Sequence, residues 1–204
     1  MEFYGQLQQD EYVYNKYFKD LKDGIYVDIG AHDGITASNT YFFDKLGWKG
    51  VCVEPIKERF LELEKNRTSK NYNCVISDID AKEVEFCKID GYSEMLSGII
   101  QNYNENHKQR ILRECEEHKC KREKLLIENK KFSDIAPSIN IDFLSVDTEG
   151  NEDKILESID YNVYNINVIC FENNNNFVLG KSKLNQWYIA DVLISNQDIV
   201  LKRK

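Results

Sequence analysis

The chain has 204 residues, enough for one α/β domain with a real core and too few for two comfortable ones. Hydrophobic residues make up 42% and charged residues 30%, a balance that argues against a disordered chain. The formal net charge of -8 disfavours a nucleic-acid partner, because phosphate binding relies on clustered Lys and Arg.

One local basic run, Lys119, Lys121, Arg122 and Lys124, is interleaved with Glu116, Glu117 and Glu123. No apolar stretch approaches the roughly 18–20 residues of a membrane span. Met1 to Gly5 carries neither the basic nor the apolar region of a secretion signal, so a cytoplasmic location is expected. The six cysteines follow no disulfide-framework spacing and read as buried thiols in a reducing compartment.

Tyr12, Tyr14, Tyr17 and Phe18 make residues 1–23 an aromatic-rich segment. It reads as a helix packed on a sheet, with a homodimer surface or a cover over a ligand as alternatives. Gly24 to Ile29 is the first predicted strand. It ends in Val27-Asp28-Ile29-Gly30-Ala31-His32-Asp33-Gly34, the pattern D-x-G-x-x-x-G. A strand, a tight glycine turn and a helix start make a nucleotide-sized cleft at a strand's carboxyl end. The spacing is neither the dinucleotide G-x-G-x-x-G nor a phosphate loop. An acid before the first glycine favours a ligand with a cationic end and hydroxyl groups. S-adenosylmethionine (SAM) fits that description.

Thr36 to Leu46 predicts a helix that Gly47 ends. Gly50 to Glu54 predicts a second strand, and Pro55 opens a second helix. Tyr72 to Ile76 predicts a third strand, and Val84 to Ile89 alternates like a further one. Asn102 to Lys121 is so charged that residues 100–122 read as an exposed helical excursion, followed by a strand at Lys124 to Glu128. Ile141 to Val146 and Val168 to Phe171 are short buried strands, with a helix over Asn151 to Ile159 between them. Asn173 to Asn176 reads as a loop. Trp187 to Lys204 reads as two strands around Ser195-Asn196-Gln197. The alternation predicts a parallel-dominated sheet with helices on both faces.

Five predicted strands end in polar residues: Asp28, Glu54, Ser77-Asp78, Asp147 and Glu172. A lone acid there is usually a turn or cap residue. Five together would line one rim of one sheet, where open α/β sheets bind ligands. Glu54 is placed to accept both ribose hydroxyls and Asp78 an adenine amino group. Asp147, Glu149 and Glu172 could serve as general base or hold Mg²⁺ through hard oxygen ligands. Glu149 could instead cap the helix that follows. His32 reads as a turn residue rather than a base. Cys115, His118 and Cys120 match no trusted zinc spacing.

These residues carry a resemblance. Gln9-Asp10, VDIGAHDG (27–34), SNT (38–40), GWKGVCVEP (47–55), ISD (76–78), MLSGI (95–99) and IDFLSVDTEGNE (141–152), in this order, resemble the FkbM-type SAM-dependent methyltransferases. The resemblance implies a Rossmann-like class I methyltransferase fold spanning 1–204, with a seven-stranded, mostly parallel sheet and an antiparallel last strand. It implies cofactor contacts from Asp28, Gly30, Ala31, His32, Gly34, Asn39, Glu54, Pro55, Ser77, Asp78 and Asp147. It implies O-methylation of a sugar hydroxyl on a glycan, glycolipid or nucleotide sugar, and places Asp147 and Glu149 at the edge of the reaction centre; with Glu172 on the same rim, these three are the expected catalytic acids. Acceptor-facing elements are expected after Ser97-Gly98. The match fades after Glu172. The alternatives are methylation of another metabolite or an RNA ribose, or a non-catalytic SAM-binding subunit.

Overall fold

The computed structural model describes residues 1–173, 177–194 and 198–204. The chain enters through α1 (Gln9–Val13), which continues as one π-helical turn over Tyr14–Phe18. Strand β1 (Ile25–Ile29), helix α2 (Tyr41–Lys45), strand β2 (Lys49–Val53), helix α3 (Lys57–Asn66) and strand β3 (Lys70–Tyr72) follow. An inserted unit comes next: β4 (Val75–Ile76), β5 (Glu83–Asp90), β6 (Gly98–Ile99), α4 (Glu105–His118) and β7 (Lys121–Lys130). The short α5 (Phe132–Ile135) leads to β8 (Asn140–Val146), α6 (Glu152–Ser158), β9 (Asn165–Glu172), β10 (Tyr188–Ile194) and β11 (Asp198–Arg203).

The main sheet has seven strands in the order β10-β11-β9-β8-β1-β2-β3. Strand β11 pairs antiparallel with both β9 and β10, and the other pairings are parallel. Only the last strand therefore runs against the rest, as expected for a Rossmann-like class I methyltransferase fold.

At its centre both faces of this sheet are buried, so β1, β8 and β9 are nearly continuous apolar runs. On one face Val27, Ile29, Val146 and Phe171 pack against Ile155, Leu156 and Ile159 of α6 and its end. On the other, Tyr26, Phe143 and Cys170 meet Val13, Phe18, Phe42 and Phe43. Phe43 sits 4.7 Å from the Trp48 ring and 5.3 Å from Phe143. Each such ring contributes on the order of 2–3 kcal/mol by leaving water.

Two expected elements change. The helix over Thr36 to Leu46 is only α2. Ala37 is left-handed at φ 53, and the Ser38 hydroxyl accepts from the Thr40 and Tyr41 amides, so turn chemistry occupies residues 36–40. The third strand divides. Asn73 donates its side-chain amide to the carbonyls of Glu54 and Pro55, and beyond that tie the chain leaves the main sheet.

Val75 and Ile76 join a second sheet, ordered β4-β7-β5-β6, which the sequence does not announce. Its β4 and β6 span two residues each, and β7 carries six charged residues in ten. Helix α4 packs on this unit through Ile111 and Cys115. Its first turn is capped by Asn104, which accepts from the His107 amide. Among the described residues, no helix is long and apolar enough to cross a membrane. The Ser195-Asn196-Gln197 turn and residues 174–176 of the asparagine run lie outside the described residues.

Candidate active site

Register places the site. Ile29 pairs with Val53 and Val146, and Val146 with Phe171. The next residues on those strands are Gly30, Glu54, Asp147 and Glu172, so one rim carries all four. They open onto a cavity of about 480 Å³, also lined by Asp28, Asn39, Glu149 and, from the inserted unit, Phe86, Glu94 and Arg110. That volume is within the range of small-molecule sites.

The glycine turn is built for close approach. Gly30 has φ +90, and a Cβ there would lie 1.7 Å from the Asp147 carbonyl oxygen, so only glycine fits. The amides of Gly30 and Ala31 donate to the Val53 carbonyl. Glu54 holds the turn from below. Its Oε2 accepts from the His32 amide at 2.9 Å and its Oε1 from the Ile56 amide at 2.7 Å. Burial pushes the Glu54 carboxyl up to about 7, and those amide donors pull it only partly back.

Asp28 faces a buried guanidinium. Arg67 Nη2 lies 3.7 Å from Asp28 Oδ2, and Thr40 Oγ1 donates to the same oxygen. Arg67 also donates to the Gly34 carbonyl, the Tyr26 hydroxyl and the Ser38 hydroxyl. Burial raises the Asp28 carboxyl, and Arg67 and Thr40 pull it only partly back. Asn39 donates to Ser145 Oγ at 3.2 Å, while its buried Oδ1 has no hydrogen-bond partner.

The acids on the β8 side crowd one another. Asp147 stands exposed on the cavity wall. Desolvation, then Glu172 and Glu152, hold its carboxyl well above the usual carboxylate range. Glu149 is raised by burial and then by Glu172 and Asp147, with Arg110 pulling it back. Glu152, 1% exposed, accepts from the Thr148 amide at 2.8 Å and hydroxyl at 3.0 Å, and from the Gly150 amide at 3.0 Å. It shapes the loop that presents Asp147 and Glu149. Glu149 does not cap α6. Its backbone is left-handed at φ 55, and its buried Oε2 has no hydrogen-bond partner.

The fold brings Asp28, Gly30, Ala31, His32, Asn39, Glu54, Pro55, Asp147, Glu149 and Glu172 to the cavity wall. Gly34, Ser77 and Asp78 are not on it. Gly34 turns behind the wall against Leu63 and Arg67. Because β4 joins the second sheet, Ser77 donates to Asn129 and Asp78 is left exposed, so Cys74, Val75 and Ile76 face the cavity instead. The His32 ring lies 3.7 Å from Asp33 and 3.6 Å from Glu94, too far for hydrogen bonds. Among the described residues, the acids whose oxygens converge within 4.8 Å are Asp147, Glu152 and Glu172, so Glu152 takes the place expected for Glu149 in a metal triad. Sequence reasoning also missed Gln6, Arg67 and Arg110. No local spacing signals them, because each acts on a segment distant in the chain.

Among curated proteins, no relative matches the chain. Among solved structures, a TehB-like SAM-dependent methyltransferase from Corynebacterium glutamicum aligns at 8% identity with a TM-score of 0.46, covering 100% of this chain and 89% of that one. Residues 28–187 match the methyltransferase FkbM domain, a span that begins at Asp28 before the glycine turn and takes in every acid on the rim. The chain therefore belongs to the FkbM family and is a SAM-dependent methyltransferase.

Proposed function

We propose that the protein methylates a hydroxyl group of a sugar, with SAM as donor. The observation that carries this reading is the pair Asp147 and Glu149, two raised carboxyls beside the glycine turn on one cavity wall. SAM supplies a methyl group on a sulfonium, open to in-line displacement. A sugar hydroxyl is a weak nucleophile near neutral pH and needs a base matched to it. A carboxylate whose proton affinity is raised by burial and by like charges accepts that proton better than an ordinary one.

The cavity residues fit the donor. Ile56, Val75 and Phe86 offer apolar surface suited to an adenine ring. Glu54 offers carboxylate oxygens suited to ribose hydroxyls. The orphaned Oδ1 of Asn39 offers an acceptor suited to an ammonium. The wall carries several carboxyls and, among Lys and Arg, only Arg110, which favours neutral glycosyl acceptors over nucleotide sugars, whose diphosphate calls for clustered cations. It weighs equally against an RNA ribose.

A second reading has its own observation. Asp147, Glu152 and Glu172 offer oxygens close enough together to share a cation such as Mg²⁺, which would activate the hydroxyl in place of a base.

The test is calorimetric binding of S-adenosylhomocysteine to wild type and Glu54→Ala, followed by a screen of neutral sugar acceptors with and without EDTA. Micromolar binding that Glu54→Ala loses supports the donor site. Well-folded wild type that binds nothing overturns it.

A further inference from the structure

The cavity wall includes one residue from outside the matched domain, Gln6. The loop that carries it is tightly built. The Tyr4 amide donates to Asp10 Oδ2 at 2.6 Å, and the Leu7 amide to Gln9 Oε1 at 2.8 Å. Gln8, left-handed at φ 63, donates its amide to the Gly5 carbonyl at 3.1 Å. A Cβ on Gly5 would lie 2.8 Å from both the Asp10 and the Gln9 side-chain oxygens. Gln9 and Asp10 are 5% and 0% exposed, so two buried polar side chains are committed to shaping a loop whose own Gln6 is exposed. Ordering an irregular loop in this way costs about 1–2 kcal/mol per residue, which these bonds help to offset.

Two anchors place the loop. On one side the Phe3 ring packs 4.5 Å from Phe42 and the Tyr4 ring 4.8 Å from Tyr41, in the helix that follows Asn39 and Thr40. On the other, Gln9 donates to Asp198, which pairs across the sheet with Glu172. Between these anchors the loop presents Gln6 to the cavity that Asn39 and Glu172 also line.

The ends of the cavity differ. Its apolar lining, Ile56, Val75, Phe86 and Ile99, forms a separate cluster on the side of the inserted sheet. Glu54 lies at the end of the second strand. Asn39, 9% exposed with its Oδ1 unpartnered, is a buried polar group on the wall it shares with Gln6. An amino acid bound there needs an acceptor for its ammonium and a donor for its carboxylate. Arg67 is committed to Asp28 and does not line the cavity.

We propose that the loop of residues 4–8 closes the amino-acid end of the donor site, and that the Gln6 side-chain amide donates to the donor's carboxylate while Asn39 accepts from its ammonium. This assignment rests on reading the cavity as a SAM site.

Two probes separate the possibilities: S-adenosylhomocysteine, and 5′-methylthioadenosine, which has the nucleoside and sulfur but no amino acid. Both are titrated calorimetrically into wild type, Gln6→Ala and Gln6→Glu. Gln6→Ala should weaken S-adenosylhomocysteine roughly tenfold and leave methylthioadenosine within about twofold. Gln6→Glu should weaken the first probe further, by placing a charge against the carboxylate. Unchanged binding of S-adenosylhomocysteine by Gln6→Ala overturns the assignment, as does an equal loss of both probes. Wild type that binds neither probe overturns the parent reading instead, so the two failures are distinct. Because Gln6 is exposed, its substitution should leave thermal unfolding unchanged.

Discussion

Arg67 and Asp28 meet behind the cavity wall, Nη2 to Oδ2 3.7 Å, with side-chain exposures of 0% and 5%. One guanidinium ties the first strand, the glycine turn and the loop before α2 together, because it also donates to Gly34, Ser38 and Thr40. Its planar fork serves several acceptors at once, which an ammonium cannot. Removing one partner of such a buried pair strands the other. Arg67→Met should destabilise the protein by about 3–5 kcal/mol, and Arg67→Lys should recover only part of that. Urea unfolding midpoints measure both. A loss under about 1 kcal/mol would show that the pair is structurally dispensable.

The proposed role of Glu54 as ribose acceptor predicts a pH dependence for nucleoside binding. Ribose hydroxyls would donate to its ionised form, whereas burial holds the empty site's carboxyl up to about 7. Binding should therefore release a proton near neutrality. Affinity for S-adenosylhomocysteine should fall up to about tenfold per pH unit below 7 and level off above it. Calorimetry in buffers of different ionisation enthalpy reads the proton directly. Glu54→Gln should flatten the profile; a profile that keeps its slope in that variant would assign the titration elsewhere.

Stability should carry the same signature with the opposite preference. Glu54, Asp147, Glu149 and Glu152 all hold protons more tightly folded than at their ordinary values of 4.5 for Glu and 3.8 for Asp. Folding takes up protons above those values, so the stability present below them is lost as pH rises. For Glu54 the window runs from 4.5 to about 7 and is worth on the order of 3 kcal/mol at most. The ligand-free protein should unfold at higher urea near about pH 5.5 than near about pH 8. The reverse order would mean that these carboxyls are not proton-loaded in the folded chain.

Much of this was legible in the residues themselves. Asp28, Glu54, Asp147 and Glu172 each follow or end an apolar run, and a parallel register must bring such positions to one rim. What was not legible depends on contacts far apart in the chain. Nothing local tells that Arg67 will pair with Asp28, or that Gln6 will reach the cavity. The second sheet escaped because β4 and β6 are two residues long, below any readable period. Asp78 was assigned to adenine on the premise that Tyr72 to Ile76 stays in the main sheet. Asn73 breaks that premise by tying the chain to the carbonyls that follow β2.

The choice between base and cation is open to one comparison. With Asp147 or Glu149 as base, Asp147→Asn or Glu149→Gln should lower turnover by about 10²–10⁴-fold, leave S-adenosylhomocysteine binding nearly intact, and leave activity insensitive to EDTA. With a shared cation, EDTA should abolish turnover and Glu152→Gln should be as damaging as Asp147→Asn. Activity untouched by EDTA and by both single substitutions would remove both versions.

Gly30→Ala should abolish nucleoside binding, since its Cβ would sit 1.7 Å from the Asp147 carbonyl at a φ of +90. The displaced loop also carries Glu149, so any residual fold should lose the acid cluster too. Near-native affinity in that variant would mean that the turn relaxes at little cost.

The anchoring of the N-terminal helix has a consequence for synthesis. The hydroxyls of Tyr12 and Tyr17 and the ammonium of Lys16 all converge on Asp191, and Tyr12 and Asp191 are 179 positions apart. At about 5–20 residues per second, on the order of ten seconds or more separate their emergence from the ribosome. For that interval the aromatic helix and its loop lack the strand that holds them. The proposed donor pocket is then missing a wall, so a nascent chain stopped before Asp191 should be a poor competitor for the cell's SAM, and its exposed tyrosines a natural handle for chaperones.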